Sequence, residues 1–259
     1  MLYTLETGKK KNPAIVLLHG GGLSSKSWQP VIDKLADDFY CLAPDLPEQR
    51  KSFSVKPFSL DDASTRVAEI IQSKVPAKRA HLVGLSLGGA LVVTMMRLCP
   101  EVIETAMVTG TAAKLGAGLG KFSISMLWIL KFYSPKALVE ATIKQQGIPA
   151  KYRDLVYDDL LMTGSDLKFN KSVITEIMNM ELPLQNKIRL LACVGSKETI
   201  PAKQAAKKLV QTVPNTRGVM IPGLNHVWAL QDPDLFAQTV RAWVTGNRGK
   251  PELLLENGS

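Results

Sequence analysis

Histidine and cysteine are both scarce in this chain, with three of each among 259 residues. Cys41, Cys99 and Cys193 are too far apart for the close spacings of zinc or iron–sulfur sites, which excludes a thiolate metal centre and a disulfide scaffold. A chemistry without metal or cofactor is the expectation. Cys41 and Cys193 fall in apolar runs that read as strands, so buried free thiols and a reducing, cytoplasmic setting are expected. No apolar run approaches the roughly 18 residues of a membrane-spanning helix. Met1 to Glu6 lack the basic start and apolar core of a secretion signal. Aromatic residues make up 6% of the chain and do not interleave with the basic ones. The net charge of +9 therefore reads as dispersed surface lysine and not as a nucleic-acid groove. A small-molecule partner is expected, with no nucleic acid; the oligomeric state, monomer or dimer, is left open.

What is present is an alternation. Ala14 to Leu18 is a continuous apolar run, as a parallel strand covered on both faces requires. A helix near 28–37 follows, with Ser27 as its N-cap, then a strand at Phe39 to Ala43 and an amphipathic helix over 60–74. A strand at Ala80 to Leu85, a helix over 87–99 stopped by Pro100, and a strand at Thr105 to Val108 complete the first half. Such alternation predicts an α/β fold with a mostly parallel sheet flanked by helices. From Gly110 to about Pro183 the pattern is helical only, which predicts a helical cap inserted between two strands. Strands at 190–194 and 218–221 and helices at 202–212 and 232–245 then resume the alternation. The expected division is a core of 1–110 with 184–246, a cap of 111–183, and a flexible tail of 247–259.

Between the strand at 80–85 and the helix at 87–99 stands Gly84-Leu85-Ser86-Leu87-Gly88. A serine exposed on so sharp a strand-to-helix turn needs neighbours without a Cβ, because strand and helix pack beside it. The five-residue pattern is short enough to arise by chance, and the strand before and helix after it give it meaning. A serine hydroxyl is a weak nucleophile unless a base is within reach and an acid orients that base.

With three histidines the search for the base is brief. His226 lies in a loop beyond the last expected strand, where ligands meet open α/β sheets. His19 reads as a shaper of the glycine loop that follows it, and His81 as strand-end packing. The acid should follow a strand and precede the histidine, and Glu198, in the loop after Val194, does so. A plain surface carboxylate is the alternative reading of Glu198. Asp232 and Asp234 come after the histidine and suit the cap of the last helix. The backbone N–H of Leu87, at a helix N-terminus, is one candidate donor to an oxyanion, and the loop Gly20-Gly21-Gly22 holds the other.

The order His19-Gly20-Gly21-Gly22, then Ser86, Glu198 and His226, resembles that of the α/β-hydrolase family, over about residues 1–246. Small capped carboxylesterases and enol-lactonases are the members it is most similar to. The resemblance implies an α/β-hydrolase fold, catalytic Ser86, His226 and Glu198, and an oxyanion hole at Gly21 and Leu87. It implies cleavage of a carboxylic ester through an acyl-enzyme, with an apolar acyl or aromatic group. Lactone or thioester hydrolysis, a slow-turnover ligand receptor, and carbon–carbon hydrolysis or perhydrolysis stay open on the same scaffold. Three departures stand out: Glu where Asp is commoner, Asn225 where many relatives have Gly, and no glycine between Asp45 and Ser52. Candidate pocket residues are Gly22, Met126, Trp128, Ile129 and Val227, with Trp228 as either a pocket neighbour or core.

Overall fold

A computed structural model describes residues 1–113, 117–130 and 132–246. The expected tail of 247–259 lies outside them. Strands β1 (Thr4–Thr7), β2 (Ala14–Leu18), β3 (Tyr40–Pro44), β4 (Ala80–Leu85), β5 (Ile103–Thr109), β6 (Leu190–Gly195) and β7 (Thr216–Ile221) form one sheet. Its spatial order is β1-β3-β2-β4-β5-β6-β7, with β1 antiparallel to β3 and every other pair parallel.

That order has a mechanical consequence. The chain leaves β2 toward β3 on one side, while β4 lies on the other side of β2. The connections after β2 and β4 therefore run apart over opposite faces. A crevice is left between the carboxyl ends of these two strands, which is where an open parallel sheet receives ligands. Leu18 and Gly84 are paired at its floor.

Both faces of the sheet are covered. Helices α2 (Leu60–Lys74) and α3 (Leu87–Leu98) pack over Val16, Leu18, Leu42, Leu82, Val108 and Ala192. Helices α1 (Gln29–Leu35) and α10 (Pro233–Val244) pack over Ile15, Leu17, Val83, Met107, Leu191 and Val219. Strand β2 thus feeds alternate residues to opposite faces, all wholly buried, which explains its unbroken apolar run. Trp228 packs against Phe236 at 4.4 Å between centroids, with the rings tilted by 50°, and is fully buried, so of its two expected places it takes the core.

Between β5 and β6 run α4 (Ala117–Leu130), α5 (Pro135–Gln146), α6 (Arg153–Asp159) and α7 (Leu167–Asn179). Helix α6 passes into a single π-type turn over Leu160–Gly164. The remaining helices are α8 (Ile200–Thr212) and the short α9 (Trp228–Gln231). No helix among the described residues is long and apolar enough to cross a membrane.

The expected helix near 28–37 is shorter and starts differently. A 3-10 turn at Ser25–Trp28 precedes α1, and Ser24, not Ser27, caps it by accepting from the Lys26 N–H. Ser27 instead donates its hydroxyl to the Ser24 carbonyl at 2.7 Å. At the last long helix, Asp232 accepts from the Leu235 N–H at 2.9 Å, the capping role expected of it.

Candidate active site

The turn from β4 into α3 is as tight as its glycines suggest. A Cβ on Gly84 would lie 2.4 Å from the Gly88 carbonyl oxygen, and one on Gly88 would lie 2.0 Å from that of Leu18. Ser86 itself sits at φ 54° and ψ −112°, a region a side chain rarely enters and that costs on the order of 1–3 kcal/mol. Three hydrogen bonds hold it there. Its N–H donates to Thr109 at 2.9 Å, and its carbonyl accepts from the Thr111 hydroxyl and the Ala90 N–H, each at 3.0 Å. The strained turn lifts the serine to the mouth of the crevice and starts α3 directly beneath it. The first N–H groups of α3, Leu87 among them, have no intrahelical acceptor.

Across the crevice, the loop after β2 comes down onto this turn. An added Cβ on Gly20 would touch Ser86 Cβ at 3.5 Å, and one on Gly21 would touch Leu87 Cδ2 at 3.6 Å. The loop is braced from below. His19 is fully buried; its Nδ1 donates to the Gly20 carbonyl at 2.9 Å while Nε2 accepts from the Leu46 N–H at 3.0 Å. Both ring nitrogens are thus committed in the neutral form, and burial pushes the pKa of His19 down against the opposing pull of the Gly20 bond and of Asp45. This is the loop-shaping role expected of it. Two further braces come from the segment after β3. Gln49 accepts from the Gly22 N–H at 2.8 Å, and Asp45 accepts from the Ser25 and Lys51 N–H groups at 2.8 and 3.1 Å.

Glu198 and His226 meet on the other side of Ser86. The Glu198 side chain is 2% exposed and places Oε2 at 2.7 Å from His226 Nδ1. Its Oε1 accepts from the Gly195 N–H at 2.9 Å. A carboxylate only accepts, so Nδ1 carries the imidazole proton and Nε2 presents a lone pair. Gly110, at the end of β5, had not been singled out in the sequence. It sits at φ +58°, and a Cβ there would lie 2.6 Å from the His226 ring and 3.1 Å from Glu198 Oε2. Its signal was its place: Gly110 directly follows β5, as Gly195 closes β6, each next to a candidate catalytic residue.

Ser86 and His226 line one cavity of about 150 Å³, together with Gly20, Gly21, Leu23, Leu85, Thr142, Gln146, Ile148, Leu160 and Val227. The serine, the histidine, Gly21 and Val227 are therefore brought together, with Glu198 behind the histidine. Gly22 points elsewhere: it is buried, at φ +75°, and a Cβ on it would meet Gly164 Cα at 2.7 Å. The side chains of Met126, Trp128 and Ile129 lie outside the described residues. His81 stays apart, its Nδ1 2.9 Å from the Thr105 hydroxyl. No cluster of candidate metal ligands occurs among the described residues.

Known proteins are similar to this chain. A pimeloyl-[acyl-carrier protein] methyl ester esterase of Pectobacterium atrosepticum is 24% identical over 90% of this chain and 94% of its own. An AB hydrolase superfamily protein of Gibberella zeae is 24% identical over 91% of this chain and 82% of its own. Among solved structures, the enol-lactonase from Burkholderia xenovorans matches with a TM-score of 0.79 at 21% identity, over 94% of this chain and 96% of its own. An esterase from Thermogutta terrifontis matches with a TM-score of 0.78 at 17% identity, over 95% and 93%. Residues 15–239 match the alpha/beta hydrolase family across sheet, serine turn and histidine loop alike, and the chain belongs to that family.

Proposed function

We propose that this protein is a serine esterase whose nucleophile, base and orienting acid are Ser86, His226 and Glu198. The observation that carries the reading is the buried Glu198 fixing His226 Nδ1, with Ser86 and His226 sharing one cavity. His226 Nε2 takes the serine proton as Oγ attacks the ester carbonyl. Glu198 holds the ring and stabilises the imidazolium that forms. The N–H groups of Gly21 and Leu87 receive the oxyanion, a contribution on the order of 3 kcal/mol for each donor. The carbonyl re-forms as the alcohol leaves with the proton from His226. Water, deprotonated by the same nitrogen, then releases the acid and regenerates Ser86. The cycle uses side chains and backbone alone.

The cavity favours an apolar acyl group. Leu23, Leu85, Ile148, Leu160 and Val227 give it an apolar wall. The helices between β5 and β6 serve as the cap that closes it, since Thr142, Gln146, Ile148 and Leu160 all come from that segment. Three free, buried thiols fit a reducing, cytoplasmic setting.

Hydrolysis of short-chain esters, followed by pH-stat for wild type and Ser86→Ala, tests the reading. Ser86→Ala should lower kcat by at least about 1000-fold while the fold, read by circular dichroism, is kept. Equal turnover in the two proteins overturns it.

A further inference from the structure

The wall facing Ser86 is not uniformly apolar. Thr142 and Gln146 are four residues apart on α5, so they share one face of the helix, and both line the cavity. This turn of α5 is clasped to the loop that carries His226. Asn225 Nδ2 donates to the Gln145 carbonyl at 2.9 Å, and Gln231 Nε2 donates to the Gly147 carbonyl at 3.1 Å. Gln231 Oε1 accepts from the Asn225 N–H at 2.8 Å, and Asn225 Oδ1 accepts from the His226 N–H at 3.0 Å. Two side-chain amides thereby set the distance between the polar wall and the base.

The donors and acceptors of that wall are specific. The Thr142 hydroxyl spends its proton on the Leu138 carbonyl at 2.8 Å, so toward the cavity it only accepts. The Gln146 amide both donates and accepts, and none of the described residues bonds to it. Among the described residues, no lysine, arginine, aspartate or glutamate lines the cavity. A neutral group that both gives and takes a hydrogen bond, as a hydroxyl does, can satisfy both side chains at once. A carboxylate gives none, so it would face the Thr142 oxygen unpaired and lose its water without a cation in exchange.

Building on the esterase reading above, we infer that Gln146 and Thr142 are specificity-determining residues that select esters bearing a neutral hydroxyl, on the acyl or the alcohol side. The experiment compares kcat/KM for isosteric pairs in which a hydroxyl replaces a methyl. Methyl 3-hydroxybutyrate against methyl 3-methylbutyrate probes the acyl side, and 2-hydroxyethyl acetate against propyl acetate the alcohol side. Monomethyl succinate is the charged control. In one pair the hydroxyl ester should be preferred by about tenfold, and Gln146→Leu should lower kcat/KM for the hydroxyl ester by about tenfold more than for the methyl ester, erasing that preference. Thr142→Val, close in shape, should move the same ratio in the same direction. Succinate should be the poorest acyl group. A ratio that neither variant moves, or a fall shared equally by both esters, overturns the inference and leaves the esterase reading intact. Loss of the Ser86 requirement would instead overturn that reading, and the inference with it.

Discussion

The two sides of the cavity are built by different means. On the sheet side, position is fixed by backbone against backbone: Gly84 on Gly88, Gly88 on Leu18, and Gly195 on Leu224, where an added Cβ would come within 2.4 Å of a carbonyl oxygen. On the α5 side, position is fixed by the amide side chains of Asn225 and Gln231 reaching two carbonyl groups. Steric fixing tolerates no substituent, because interiors are close-packed and carbonyl groups do not yield. Hydrogen-bonded fixing is worth about 1 kcal/mol per bond and can be traded for other contacts. On the proposed esterase reading, the residues that make and break the acyl bond rest on the rigid side. The wall proposed to read the rest of the substrate rests on the replaceable one, an arrangement that would let the substrate change while the reaction is kept.

Gly88→Ala strikes the rigid side hardest. Its Cβ would fall 2.0 Å from the Leu18 oxygen at the start of α3. A loss on the order of 3 kcal/mol or more is expected, read as a collapse of the urea midpoint. A midpoint equal to wild type would show that the turn relaxes freely. Gly110→Ala tests the same side at the base. A Cβ 2.6 Å from the imidazole displaces His226 from Glu198 and Ser86. A fall in kcat of about 100-fold with a smaller loss of stability is expected from so small a misplacement.

On the α5 side, Gln231→Ala removes two hydrogen bonds of the clasp. A loss of about 1–2 kcal/mol is expected, seen as a few degrees in Tm. Its kinetic effect should fall on KM more than on kcat. A variant that lost kcat alone would place the clasp with the rigid machinery and erase the contrast.

The weakest expected effect is on pH. His19 is held neutral, its pKa pushed by burial below the ordinary 6.5. The unfolded chain takes up that proton at the ordinary value and the folded chain only further down. Its contribution is therefore complete above pH 6.5 and declines as the pH falls from there to the depressed folded value. The His81 pKa is also lowered by burial and adds to the same trend. His19→Asn should flatten the fall in stability below pH 6.5 by up to about one proton in slope. An unchanged slope would remove His19 from that dependence.

The rigid side was largely legible in the sequence, and the α5 side was not. Parallel strands covered on both faces must be apolar without a break, so β2 and β6 announce themselves. The Ser86 turn must shed its Cβ atoms, so its glycines do too. Chain order then placed Glu198 and His226 in loops at strand ends, where the structure has them. The clasp left no pattern because its bonds join residues 80 and 84 positions apart, from ordinary Asn and Gln side chains. Asn225 registered only as a departure from a glycine many relatives carry, and the structure gives it partners on α5. The Gln49 and Asp45 braces left no pattern for a similar reason: a connecting segment with no periodicity conceals which of its side chains turn inward.

The scattered thiols have a use in the laboratory. Cys41 lies in β3, Cys193 in β6 and Cys99 at the end of α3; all three are free and buried. Burial pushes the Cys41 thiol up to about 12 and raises those of Cys99 and Cys193 as well. The thiolate is the species that alkylating reagents trap, and here it is both hidden and suppressed. Iodoacetamide should therefore spare the native protein while capturing each segment that opens. With one thiol near the β1 edge, one in the strand beside β7 and one between the end of α3 and α2, the chain carries its own three-channel record of where unfolding begins.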